Sequence, residues 1–271
     1  MSRLIINKIV LGLSSLSGVI GLFFLLWILV SLVVKGFAGL SPYIFTHDLI
    51  DHGIRNLIMG QFMLAALATV FGVPLGILAG IYLQEYGNGT RYAEIIRDLS
   101  DVMMSAPSIV IGTFVYAIYV IPVGHTAGWA GVLALFIMML PIVVRTTDDM
   151  LSLVPVELRE AGIAIGASKY HVILHIILRS AKVGIVTGLI LAFARIVGET
   201  APLLYTSGSS IFWSTDLSST FPSMTVSIYN LATQPEQDMV DLAWAAALVL
   251  TVMVLILNLI GRYLIRDKQA K

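Results

Sequence analysis

Arg195 and Glu199 stand four residues apart inside the apolar run 183–205, and Gly-Glu-Thr-Ala-Pro occupies 198–202 directly behind the arginine. A guanidinium offers an oxyanion a rigid fork of donors and stays charged at any physiological pH. One helical turn separates the two residues by about 6 Å along the axis and puts them on neighbouring faces, where they can share one water-filled seam. In that arrangement Glu199 partly neutralises Arg195, so the site does not hold an anion too tightly and the empty arginine has a partner. A charge at the bilayer centre costs about 2.5–3.5 kcal/mol even on the lenient insertion scale, which is why such residues ordinarily face a partner or an aqueous path. Pro202 removes a backbone hydrogen bond and crowds the carbonyl of Gly198, predicting a bend or an opening beside the pair. Thr200 in the same stretch joins the candidates for a substrate path. Arg145, at the end of another apolar run, is a further candidate, with snorkelling to the interface as its alternative. For Arg195 and Glu199 the alternative is a structural ion pair between helices.

The elements that must position these residues are membrane helices. The chain is 58% hydrophobic and only 12% charged, outside the range of soluble domains. Six runs, 9–34, 57–83, 102–123, 127–144, 183–205 and 242–261, are long and apolar enough to cross a hydrocarbon core of about 30 Å as helices. They are too long for barrel strands and do not alternate, so the expected class is an all-α integral membrane protein. The first run is uncharged and no small-x-small cleavage pattern precedes Lys35, so it reads as a retained anchor. With no cysteine, disulfides and thiolate metal sites are excluded.

The basic residues set the orientation. Arg3, Lys8, Arg91, Arg97, Arg145, Arg159, Lys169, Arg179, Lys182, Arg262, Arg266, Lys268 and Lys271 fall on one side, and Lys35 and Arg55 on the other. Both termini are therefore expected in the cytoplasm. The loop 206–241 has no Lys or Arg and carries Asp216, Glu236, Asp238 and Asp241, as an external loop would.

The cytoplasmic segment 145–182 is far longer than an antiparallel helix pair needs. Val-Pro-Val at 154–156 marks a helix start, and Glu157 and Glu160 suit the positive end of its dipole. Gly166 offers a turn, after which Tyr170, Ile173, Leu174 and Ile177 predict a second amphipathic segment along the membrane face or against the bundle. Glu160-Ala161-Gly162, three residues, Gly166 and a later Ile-x-Leu resemble the EAA loop of the membrane subunits of bacterial ABC importers, although the second Ala is Gly162 and the closing Pro is Ser180. Arg-Thr-Thr-Asp-Asp-Met-Leu at 145–151, Ala-Arg-Ile-Val-Gly-Glu-Thr-Ala-Pro-Leu-Leu at 194–204 and Phe-Trp-Ser-Thr-Asp at 212–216 narrow the resemblance to the PstA-type permeases of the phosphate importer.

That resemblance implies a type I ABC importer permease fold of six transmembrane helices in one domain, 1–271, with its core at 57–265 and a coupling segment at 154–180. It implies phosphate as the substrate and Glu160, Ala161, Gly162 and Gly166 as the residues that meet an ATPase. The implied partners are a PstC-type second permease, a cytoplasmic ATPase dimer that uses ATP and Mg, an external phosphate-binding protein and the lipids of a bacterial or archaeal cytoplasmic membrane. No cofactor is expected on this chain: it has no G-x-x-x-x-G-K-[ST] loop and no G-x-S-x-G or other catalytic set. Nucleic acid is not an expected partner, because the basic residues are scattered at helix ends. His171 and His175 have helical metal-ligand spacing without an H-E-x-x-H pattern or a third ligand, and a zinc site is not expected. An ion-driven secondary anion transporter, an importer of sulfate or molybdate, and a non-conducting scaffold are the alternatives. One intramembrane acid and no inverted repeat argue against the first.

Overall fold

Backbone that crosses hydrocarbon has to satisfy its own hydrogen bonds, so each apolar run closes into helix and departs from it only where other groups take over those bonds. The computed structural model describes residues 2–269, without the side chains of 2, 4, 262 and 264–269. Lys271 and the side chains of Arg262, Arg266 and Lys268, counted above among the cytoplasmic charges, lie outside the described residues. In order come α1 Ser2–Ala38, α2 Arg55–Tyr86, α3 Arg91–Ser105, α4 Ser108–Val123 and α5 Gly128–Ser152. They are followed by α6 Val156–Ala164, α7 Lys169–Val197, α8 Ala201–Thr206, α9 Met224–Ala232 and α10 Gln237–Gln269. Among the described residues there is no strand.

Five helices are long and apolar enough to cross alone, and α3 with α4 reach that length and apolarity only when taken together as one bent pair. Here the structure corrects the run 102–123. The chain turns by 99° between α3 and α4, because Pro107 cannot continue the helix and holds Ala106 in extended backbone at φ −63°, ψ 137°. Helix α4, the apolar half of the pair, is about 24 Å long at 1.5 Å per residue. Helix α3 carries Arg91, Glu94, Arg97, Asp98 and Asp101 and so stays out of the hydrocarbon.

The fifth run is corrected at both ends. Its helix stops at Val197 instead of continuing to 205, and the second amphipathic segment expected in the loop 145–182 is the first stretch of α7, continuous with the span. No proline interrupts 169–197, so the helix carries on through a single π-type turn at Ile173–Ile177.

Small residues set the helix spacing. A β-carbon on Gly76 would lie 2.6 Å from Val143 Cβ, and one on Gly80 2.6 Å from Thr147 Cβ, so α2 and α5 are in near-backbone contact. Gly184 and Gly188 of α7 face Met150 and Thr146 of α5 in the same way. Around these contacts Leu64, Leu135, Met139, Ile196, Leu203 and Phe221 form a buried core. Gly76→Val is expected to cost about 1–3 kcal/mol through overpacking, read as a lower thermal midpoint of the detergent-solubilised protein; an unchanged midpoint would place Gly76 outside this contact.

Candidate functional site

The last carbonyls of a helix have no partner within it, and inside a membrane water does not supply one. Helix α7 ends at that difficulty. Gly198 has φ −90°, ψ 0°, Thr200 has φ −110°, ψ −51°, and α8 begins with Pro202 in its first turn, where a missing amide hydrogen costs nothing. The predicted opening is present, but its cause differs from the one expected. Pro202 starts a new helix and does not kink a continuous one, while side chains from elsewhere hold the gap open.

Gln61 of α2 is the chief of these. Its amide is fully buried, and Nε2 donates to the Val197 carbonyl at 2.8 Å. Its Oε1 accepts from the Met224 amide at 3.0 Å and the Ser223 hydroxyl at 3.1 Å, gripping the start of α9. Thr225 closes the other side, donating its hydroxyl to the Glu199 carbonyl at 2.8 Å. Sequence reasoning passed over Gln61. Its signal was that, apart from the hydroxyls of Thr69 and Tyr82, it is the only polar side chain in the run 57–83.

The gap presents Arg195, Glu199 and Thr200 together. Arg195 Nε lies 3.7 Å from Glu199 Oε1, with the arginine side chain 54% exposed and the glutamate 17%. That separation is an ion pair within one segment, not between helices, and too long for a hydrogen bond, so the guanidinium keeps donors free for another acceptor. Arg145 is elsewhere. It pairs with Asp149 at 3.4 Å and Asp101 at 3.6 Å. From the contact of Thr146 with Gly188, Arg195 lies about 10 Å further along the α7 axis.

The opposite end of α7 has its own fixed geometry. In α6, Glu160 and Ala161 are exposed, while Gly162 is buried and would bring a β-carbon within 2.8 Å of Val172 and 2.9 Å of Ile176 on α7. Gly166 turns the chain at φ +86° with open space around it, and Ser168 caps α7 by accepting from the His171 amide. Arg159 ties α6 to two neighbours, meeting Glu85 of α2 at 2.8 Å and the Leu151 carbonyl at the end of α5, also at 2.8 Å. Lys169 also donates to the Glu85 carbonyl. Leu153, Val156, Ile163 and Ile165 are left exposed around the helix. The rings of His171 and His175 stack 5.5 Å apart, and among the described residues no group of three His, Cys, Asp or Glu is placed to hold a metal.

Helix α3 is fastened to the same end. Arg97 Nε donates to Asp148 Oδ2 at 2.7 Å, with Asp148 only 5% exposed, and a second nitrogen reaches the Leu83 carbonyl at 3.2 Å. The Asp148 hydrogen bond raises the Arg97 guanidinium above its ordinary value, with burial opposing it.

A family model described as binding-protein-dependent transport system inner membrane component matches residues 72–269. The chain is 48% identical over 267 residues to the phosphate transport system permease protein PstA of Haemophilus influenzae, covering 97% of this chain and 95% of that one. It is 36% identical to PstA 1 of Mycobacterium tuberculosis, covering 96% and 88%. Among solved structures, a bacterial ABC transporter for import of the acidic polysaccharide alginate matches with TM-score 0.67 at 15% identity, over 91% of this chain and 92% of that one. The MetNI methionine ABC transporter in inward facing conformations matches with TM-score 0.64 at 17% identity, over 79% and 96%. At such identities these two likenesses speak for the fold alone.

Gln61→Leu strands the Val197 carbonyl and the Met224 amide, each at about 1–3 kcal/mol. A clear loss of thermal stability is expected in the purified protein, with Gln61→Glu recovering only the acceptor half. Wild-type stability of Gln61→Leu would remove the clamp from the account.

Proposed function

The chain belongs to the binding-protein-dependent transport inner membrane component family, and within it to the PstA-type permeases, and from that membership we propose how it carries phosphate. It is a multi-pass inner membrane protein with the type I ABC importer permease fold, the permease subunit of a phosphate importer. In the reading proposed here, phosphate passes the open backbone at 198–200, where Arg195 supplies charge and donors, Glu199 tempers the attraction so that the ion is released, and Thr200 lies alongside. Arg145 stands nearer the cytoplasmic mouth as a second station on the path.

The observation that carries this reading is that one helix holds both ends of the machine. The start of α7 packs under α6 through Gly162, and its last turn holds Arg195. From Lys169 to Arg195 the helix spans about 39 Å. We take α6, with Glu160, Ala161, Gly162 and Gly166, as the coupling segment that docks on the ATPase. When two ATPase subunits close on ATP, the coupling segments of the two permeases are drawn together. Arg159 and Glu85 make α2 follow α6, and α7 transmits the displacement to the gap, switching access from the cytoplasm to the outside. ATP and Mg belong to that ATPase pair, and this chain binds no cofactor of its own. A PstC-type permease completes the path, and an external phosphate-binding protein delivers the ion to the surface that includes the loop 206–241, where the Arg55 guanidinium lies over the Trp213 ring at 5.2 Å. Both termini lie in the cytoplasm.

Reconstituted with its second permease, ATPase and binding protein, the chain is expected to support phosphate uptake that needs ATP and the binding protein and is untouched by excess sulfate. Arg195→Ala is expected to lower that uptake by roughly 10–100-fold, the worth of hydrogen bonds to a charged group, while the complex still assembles. Normal uptake by the variant would sink the path, and uptake without ATP would point to a secondary transporter. Gly166→Val forces a β-branched residue into left-handed backbone at about 1–2 kcal/mol. The expected result is ATPase loss on purification, or ATP hydrolysis no longer stimulated by the binding protein; retention of both would detach the loop from coupling.

A further inference from the structure

One side of α7 carries a furrow that the transport reading leaves unused. Nearer the cytoplasm it is a hollow of about 480 Å³ walled by Ile77, Leu178 and Ile185, with His175, Arg179 and Lys182 beside them. Deeper in the membrane a hollow of about 350 Å³ between α2, α7 and α10 is lined by Val73, Phe193, Leu257 and Ile260. Val186 and Leu189 line both, so the two hollows follow one another along the same side of α7. Among the described residues no acidic side chain lines either part. The positive end is therefore uncompensated, and the remainder is apolar apart from the Thr69 hydroxyl, which is satisfied by the Ala65 carbonyl at 2.7 Å.

Three features choose the occupant. Residues of an α-helix advance by about 100° each, which puts Arg179, Lys182, Val186 and Phe193 roughly 140–180° around α7 from Arg195. The furrow thus faces away from the proposed phosphate path. From Lys182 to Phe193 the helix rises about 16 Å, one half of a hydrocarbon core about 30 Å thick. Its basic end lies at the cytoplasmic interface, where anionic headgroups attract Lys and Arg. Basic head, apolar length and leaflet match one molecule. We propose that this furrow binds an anionic phospholipid of the cytoplasmic leaflet, with the headgroup phosphate on Arg179 and Lys182 beside His175 and one acyl chain along Val186, Leu189 and Phe193.

The site rests on the orientation and path proposed above, and ATP-driven phosphate uptake by the same preparation checks those separately. The test is native mass spectrometry of the complete importer, delipidated and offered phosphatidylglycerol or phosphatidylcholine. Phosphatidylglycerol is expected to be retained preferentially. Arg179→Gln with Lys182→Gln should weaken it roughly 25-fold, about 5-fold for each charge removed. Leu189→Trp should weaken it with the basic end intact, which keeps the test decisive if the double variant fails to assemble. Excess inorganic phosphate should not displace it. Equal binding of the two lipids, undiminished binding in both variants, displacement by inorganic phosphate, or chemical crosslinking of Lys182 to the second permease would each overturn the assignment.

Discussion

Everything at the centre of this permease hangs on the need to satisfy a handful of backbone groups where there is no water. The gap between α7 and α8 frees the Val197 and Glu199 carbonyls, and Gln61 and Thr225 take them both. Gln61 is effective because a primary amide donates and accepts at once. It joins α2, the end of α7 and the beginning of α9 through one buried group. Remove that group and the open backbone that displays Arg195, Glu199 and Thr200 loses the reason it can exist at that depth.

The same economy governs the end where α6 packs. Glycines bring α2, α5 and α7 into near-backbone contact, and the Arg159–Glu85 pair ties the short helix α6 to α2. In the proposed coupling, a displacement of α6 would meet close packing and be carried toward Arg195 by α7, a helix interrupted only by one π-type turn.

Much of this was legible in the residues. Long apolar runs required membrane helices, and the spacing of Arg195 and Glu199 put the two within reach of each other without deciding that they pair. What escaped were features set by tertiary partners. Pro107 was visible, but the polar stretch before it had to be recognised as a separate helix before the third span could be shortened. Pro202 announced a disturbance without revealing that Gln61, far away in the chain, sustains it. Gly162 looked like a small docking residue, whereas its lack of a side chain admits Val172 and Ile176 of the same chain.

The pairing of Arg97 with Asp148 bears on biogenesis. Asp148 belongs to a helix that enters the membrane, and its carboxylate is almost wholly enclosed. Synthesis runs from the amino terminus, so Arg97 emerges well before the helix that carries the acid. Because the two residues lie on either side of α4, their pairing closes only once that stretch of chain is complete, and it then staples α3 to the last turns of α5.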